Sequence, residues 1–464
     1  MIKETDIKKC LEVIKEDSKY VSKCSHLSYF PLVIAKGNGS IITDVDGNEF
    51  IDFLSSASSL NLGFSQPDVR AAMNKQIDEF VQYTSAYTYN EKIVDYAKRL
   101  ASVYPGGGDV KVCFGNCGSD ANDAAIKFSR AFTGRQKIIV FVNGYHGNTY
   151  GAMSLSACTA RMRVGMGPML PEIYQFPFFG ADVRDRVVEE TCLDEMKQAF
   201  KTYLPPEEVA AVIIEPIQGD GGLLPAHPIF MKKLHELCKE HGILFISEEV
   251  QQGFYRTGEF FGIQHYGIIP DGIVMGKSIG AGTPLGAFMA RSEIIDSLPA
   301  PAHVFTLGGN PLACSAGIAA FDYYQSDEFQ ERLERNIKLL ENEADKLLER
   351  NLDIVSFRRN VGMSMGIGID VDAGKGCDKS SSENSLADCD KCNTNADATF
   401  KILFRSYQYG LCVISIAEDI LRIQPPLNIK PEELKKGFEI LQMSINDYRD
   451  GKIGDEVLKY RAGW

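Results

Sequence analysis

The 464-residue chain is 44% hydrophobic and 24% charged, the balance of a globular protein, and is too long for one core of ordinary size. Its formal charge of −13, with no basic cluster, argues against a nucleic-acid binder. No apolar stretch approaches the roughly 20 residues of a membrane span, so two or more compact water-exposed units are expected.

The N-terminus, MIKETDIKKCLEVIKED, is charged and helix-like, unlike a signal peptide. After this arm, GSIITDVDGNEFIDF (39–53) reads as a hairpin turning at Asp46-Gly47. The aromatic run VQYTSAYTYN (81–90) suits either a substrate pocket or plain packing. From about 68 to 320, short apolar runs (VKVCFG, KIIVFV, VAAVIIEP, ILFIS, DGIVMG) alternate with helices. That alternation indicates an α/β fold with a mostly parallel sheet covered on both faces. A charged helix over 328–350 follows, then shorter strands (GMSMGIGID, LCVISI, ILRIQP) and a closing amphipathic helix, which with the N-terminal arm are expected to build a smaller α+β domain. The expected division is an N-terminal arm and hairpin (1–67), a large domain (68–320) and a C-terminal small domain (321–464). Within the last, the low-complexity stretch 372–398 is expected to be a flexible surface loop. Its Cys377-x11-Cys389-x2-Cys392 spacing hints at zinc but lacks a fourth ligand. The 12 cysteines are dispersed, several in apolar runs (Cys113, Cys238, Cys412), as expected of reduced thiols in a cytoplasmic protein.

Ligands of open α/β sheets bind beyond the carboxyl ends of the strands. In VCFGNCGSDANDAAIKFSRAFTG (112–134) a strand turns through Gly115 and Gly118 into a helix. Ser119 is a natural cap, Gly134 a natural stop, and the apolar face is Ala121, Ala125, Phe128 and Phe132. Free N–H groups at such a helix start favour phosphate, although a plain capped helix has the same pattern. AAVIIEPIQGDGG (210–222) ends a buried strand with Glu215 and Asp220 flanking a turn. GILFISEEVQQG (242–253) ends another with two adjacent carboxylates, which alternation sends to opposite faces. DGIVMGKSIGAGTPLGA (271–287) places Lys277 between a strand and a glycine-rich loop. It misses the P-loop spacing by one residue, and a lysine held there can act as a Schiff-base nucleophile.

A lysine, two carboxylate-bearing strand ends and a phosphate cradle form a recognisable set. With DVDGNEFIDF, GNCGSDANDAAIKFSR, YHGNTYGA, EPIQGDGG, EEVQQGFYRTG, GKSIGAGTPLGA, TLGGNPLAC and LRIQPPL in order, the chain resembles the class III aminotransferase family of fold-type I pyridoxal-phosphate enzymes. Within that family it is most similar to the isoleucine 2-epimerases and related amino-acid racemases, on GSDANDAAIKFSRAFTGRQ, EPIQGDGG, APAHVFT and the terminal Gly463-Trp464.

The resemblance implies pyridoxal 5'-phosphate as cofactor, with Lys277 as the lysine that carries it. Gly118 and Ser119 match the phosphate cradle, and Thr306 the threonine that reaches the phosphate from a neighbouring subunit. It therefore implies a homodimer or homotetramer with shared active sites. Tyr145 matches the aromatic residue stacked on the cofactor ring, beside His146. Val250 is expected to cover the other face and Gln251 to bond the ring hydroxyl. Glu248 stands where the family usually has aspartate at the pyridine nitrogen, one methylene longer, and Glu249 is expected to be structural. Arg422 matches the arginine that meets a substrate or pocket carboxylate.

A transaminase returns the α-proton to the cofactor, whereas a racemase returns it to Cα from either face and so needs an acid/base on each side. The family's transaminases often have glutamate in the EPIQG turn. Asp220 there resembles the racemase-like members and is the expected partner of Lys277, the alternative being a salt-bridge partner of Arg422. The leading expectation is thus a racemase or epimerase of α-amino acids with apolar side chains. A transaminase is the alternative, and a non-catalytic relative is disfavoured by the intact lysine and cradle.

Overall fold

The computed structural model describes residues 1–371 and 390–461. By contacts the chain divides into two units, one made of Ser56–Asn61 and Pro67–Gln330 and the other of Met1–Ser55, Leu62–Gln66 and Glu331–Trp464.

In the first unit, seven strands form one sheet in the order Val110–Gly115, Gly286–Arg291, Gly272–Met275, Leu244–Glu248, Val209–Ile214, Lys137–Phe141 and Ile173–Phe176. Gly286–Arg291 runs antiparallel to both neighbours, and the other pairings are parallel. The strand VAAVII is buried at every residue, so both faces are covered, as continuous apolar runs require. The helix Gly118–Thr133 lays Ala121, Ala124, Ala125 and Phe128 into the same core as Val274 and Phe288. Phe132, expected on that face, is instead 37% exposed. The helix ends at Gly134, whose φ of +68° is open to glycine at little cost. Because six strands point the same way, Gly115, Glu215, Glu248 and Lys277 all emerge at or beside one carboxyl edge.

In the second unit, Ile34–Asn38, Ile41–Asp44 and Glu49–Asp52 form an antiparallel sheet that Leu411–Cys412 extends in parallel. The hairpin turns at Gly47 (φ +95°), where Asp44 Oδ1 accepts the N–H groups of Asp46 and Asn48. A second antiparallel sheet orders Val355–Val361, Ser364–Ile369, Ile420–Ile423 and Ile414–Ile416. The loop expected over 372–398 needs correction: the helix Asp390–Gln408 already covers 390–398. Its buried positions Ala396, Phe400, Leu403, Phe404 and Tyr407 recur at three- and four-residue spacing, and that pattern reaches back into the polar stretch. Residues 372–389 lie outside the described residues, as do the side chain of Cys392 and Gly463-Trp464. The zinc spacing therefore has no structural counterpart to report. The nine cysteines with described side chains are free thiols, and no helix among the described residues is long and apolar enough to cross a membrane.

Candidate active site

A cavity of ≈ 390 Å³ opens at the carboxyl edge of the seven-stranded sheet, inside the Pro67–Gln330 unit. Gly118, Ser119, Tyr145, His146, Asp220, Glu248, Val250, Gln251 and Lys277 all line it. These come from five separate stretches of chain, brought together because the strands carrying them share a direction.

One wall is the start of the helix Gly118–Thr133. Its N-cap is Cys117, with no side-chain hydrogen bond, so the expectation that Ser119 caps the helix is corrected. Ser119 lies one residue inside it, and its Oγ accepts from Asn148 N at 3.2 Å. The helix thus presents its positive end and first-turn N–H groups to the cavity without a side-chain cap, as an anion site requires. Glycines allow the close packing around it. A Cβ on Gly118 would lie 2.8 Å from Val250 Cγ1, and one on Gly276 2.9 Å from Gly118 Cα. A Cβ on Gly147 would fall 2.1 Å from Ser119 Oγ. These donors fit the phosphate of pyridoxal 5'-phosphate.

Beside this helix, Glu248 is 3% exposed yet only loosely held. Its Oε1 accepts from Asn122 Nδ2 at 3.2 Å, and its Oε2 from Val250 N at 3.3 Å. His146 Nδ1 stands 4.0 Å from Oε1. Burial disfavours the charged imidazole, but the carboxylates of Glu248 and Glu215 outweigh it and raise the pKa of His146 above its ordinary value. A carboxylate offers about four lone-pair sites, so Glu248 keeps acceptor capacity for a protonated ring nitrogen. Val250, two residues on, lines the same cavity. Glu249 faces away, and Gly262 N, Ile263 N and Ser247 Oγ donate to it at 2.8, 2.8 and 2.9 Å.

Lys277 follows the strand Gly272–Met275 with φ = +50°, a left-handed conformation that costs a non-glycine residue about 1–2 kcal/mol. Strain of that kind concentrates at functional sites. Asp220 reaches the cavity from the turn after Ile217–Gln218. Burial first, and then Asp220, push the Tyr145 hydroxyl up to about 12, so it stays protonated. Gln251 is buried against Gly219, where a Cβ would fall 2.3 Å from its Oε1.

Two expected residues do not line the cavity. Thr306 is exposed, its carbonyl accepting from Gln82 Nε2 at 2.9 Å. Arg422 belongs to the other unit, buried in the strand Ile420–Ile423 with its Nε donating to Gln424 Oε1 at 2.5 Å. The sequence reading missed Asn122, which donates to both His146 O and Glu248 Oε1, and named Glu215, which lines the cavity, without giving it a role. An asparagine on a buried helix face was the available signal for the first.

Residues 23–445 match the family model of class-III aminotransferases. The chain is 34% identical to an isoleucine 2-epimerase from Lentilactobacillus buchneri, covering 98% of this chain and 99% of the relative. It is 34% identical to a leucine/methionine racemase from Thermococcus litoralis, again over 98% and 99%. Aminotransferases match at similar identity. Among solved structures, the ornithine aminotransferase of Toxoplasma gondii superposes with a TM-score of 0.79 at 27% identity, covering 95% of this chain and 96% of that one.

Proposed function

The chain belongs to the class III aminotransferase family, a pyridoxal 5'-phosphate enzyme by that membership, and from that premise we propose that it racemises or epimerises α-amino acids with apolar side chains. The observation that carries the reading is the presence of Lys277 and Asp220 in one cavity, two proton carriers where a transaminase needs one. The two racemase and epimerase relatives support it.

When bound, the cofactor supplies an electron sink for the pair left as the Cα–H bond breaks. Lys277 would hold it covalently, and its Nζ would carry the α-proton on one face. The Asp220 carboxylate does so on the other face. Glu248 would hold a proton at its ring nitrogen, Tyr145 and Val250 would cover the two ring faces, and Gln251 would meet the ring hydroxyl. Gly118 and Ser119 would orient the phosphate at the helix start, Thr306 would be added from a partner subunit, and Arg422 would meet a carboxylate of substrate or pocket.

The test is incubation with single L-amino acids, without any oxo acid, followed by chiral analysis in deuterated water. Appearance of the D-form with deuterium at Cα is expected. Formation of a 2-oxo acid instead would favour the transaminase reading, which the aminotransferase matches keep in play. Asp220→Asn keeps the shape but carries no proton, and racemisation should drop by at least ~10². Normal racemisation in that variant would reduce Asp220 to a structural role.

Assembly is proposed to be at least dimeric. Phe80, Val81, Tyr83, Tyr87, Val304 and Leu307 are exposed in the segments around Gln82 and Thr306, an apolar surface that suits a second copy better than water. A fully active monomer in a sedimentation assay would contradict this.

A further inference from the structure

Glu215 follows the strand Val209–Ile214, is 5% exposed, and has no role in the chemistry above. Its two oxygens serve two different loops. Oε1 accepts from Tyr145 N at 2.9 Å, and Oε2 from Gly219 N at 2.9 Å. The first loop carries the ring-stacking tyrosine, and the second carries Asp220, the residue next to Gly219.

Other contacts join the same loops. Gln218 Nε2 donates to Val142 O at 2.8 Å, and a Cβ on Gly221 would sit 3.0 Å from Asn143 O. Asn143 (φ +67°) and Leu223 (φ +51°), one on each loop, are held in left-handed conformations that free loops would leave. Only an acceptor-only side chain of this length satisfies both amides. Glutamine would present an NH₂ to one N–H, and aspartate is a methylene short. The arrangement has a visible cost: burial, then the nearby Glu248 carboxylate, push the Glu215 pKa above its ordinary value, against His146 and the two amides.

We propose that Glu215 is a positioning residue that clamps the Tyr145 loop and the Asp220 turn into one body, fixing the second acid/base relative to the cofactor face. The clamp itself is independent of the reaction; its effect on the Asp220 face rests on the two-base reading. A displacement of about 1 Å at a reacting group can cost as much as 10²-fold in rate, so such a clamp matters to turnover.

The experiment is amide hydrogen exchange on the full-length holoenzyme, comparing wild type, Glu215→Gln and Glu215→Asp. In Glu215→Gln, peptides covering 142–149 and 217–223 should exchange about 10-fold faster together, while the sheet strands keep their protection. Glu215→Asp should loosen one of the two segments and decides the matter if the glutamine variant does not fold. Unchanged protection in both segments, or a uniform loss across the protein, overturns the proposal. In turnover, Glu215→Gln should lower kcat with KM nearly unchanged, and proton exchange on the Asp220-served face should fall about 10-fold more than on the Lys277-served face. Equal losses on the two faces count against the clamp. A wild type that does not racemise would sink the two-base reading while leaving the amide-exchange result intact.

Discussion

Glu248 ends the strand Leu244–Glu248 and Glu249 follows directly after it; both are buried, and they face two different regions of the same unit. On the cavity side, Glu248 receives hydrogen bonds of 3.2 and 3.3 Å and keeps acceptor capacity. On the closed side, Glu249 is met by two backbone N–H groups and a hydroxyl at 2.8 to 2.9 Å. Residue type and burial are the same, so neither separates function from structure. What separates them is whether the protein itself uses up the carboxylate. A saturated acid holds the fold, and one with capacity facing a cavity is available to a ligand.

Substitutions on the cavity side should therefore cost activity and spare the fold, and those on the closed side the reverse. Lys277→Ala gives the largest effect: turnover falls by at least ~10³ and the visible absorbance of the bound cofactor disappears. Unfolding of the cofactor-free protein in denaturant should shift by less than about 0.5 kcal/mol. Substantial turnover in this variant would remove Lys277 from its role. Glu249→Ala strands Gly262 N, Ile263 N and the Ser247 hydroxyl in a buried site. It should lower stability by about 3 kcal/mol, with kcat of the folded fraction little changed. A loss of activity at wild-type stability would erase the contrast between the two sides.

The smallest effect is a pH slope. Burial first, against its hydrogen bonds, raises the Glu249 pKa from the ordinary 4.5 to about 7. Between those values the folded state keeps a proton that the unfolded chain releases. This contribution to stability is thus complete below about pH 4.5, declines as pH rises, and is lost by about pH 7. Denaturant titrations from pH 4.5 to 7.5 should show a shallower decline in Glu249→Gln than in wild type. Parallel curves would mean that Glu249 titrates as an exposed acid does.

Much of this contrast was legible in the sequence. A run such as GILFISEEV can be a strand, and strand alternation alone sends Glu248 and Glu249 apart. Strand-end glycines, the lysine after DGIVMG and the carboxyl-edge rule pointed to one end of the sheet, and the family resemblance added Tyr145, His146, Val250 and Gln251; nine expected residues line one cavity. Other features were not legible because they depend on partners distant in sequence. The chain over Ser55–Ser58 takes four successive left-handed residues, Ser, Ser, Ala and Ser, none of which favours that conformation. Within the first unit, the following segment is tied by Ser278 Oγ donating to Ser58 O at 2.6 Å and by Arg256 bonding Asn61 Oδ1. No local propensity announces those bonds.

By itself, then, the sequence determined the parallel α/β scaffold, the stop at Gly134, the hairpin at Gly47 and the chemical kinds of group at the strand ends. All of these follow from periodicity, backbone freedom and side-chain type over a few residues. Tertiary structure alone decided that Cys117 rather than Ser119 precedes the helix, that 390–398 is helical, and that Glu215 bridges two loops. Each turns on which donors and apolar surfaces arrive from elsewhere in the chain, because a buried polar group or an apolar face is satisfied by whatever the fold brings within about 3 to 4 Å of it.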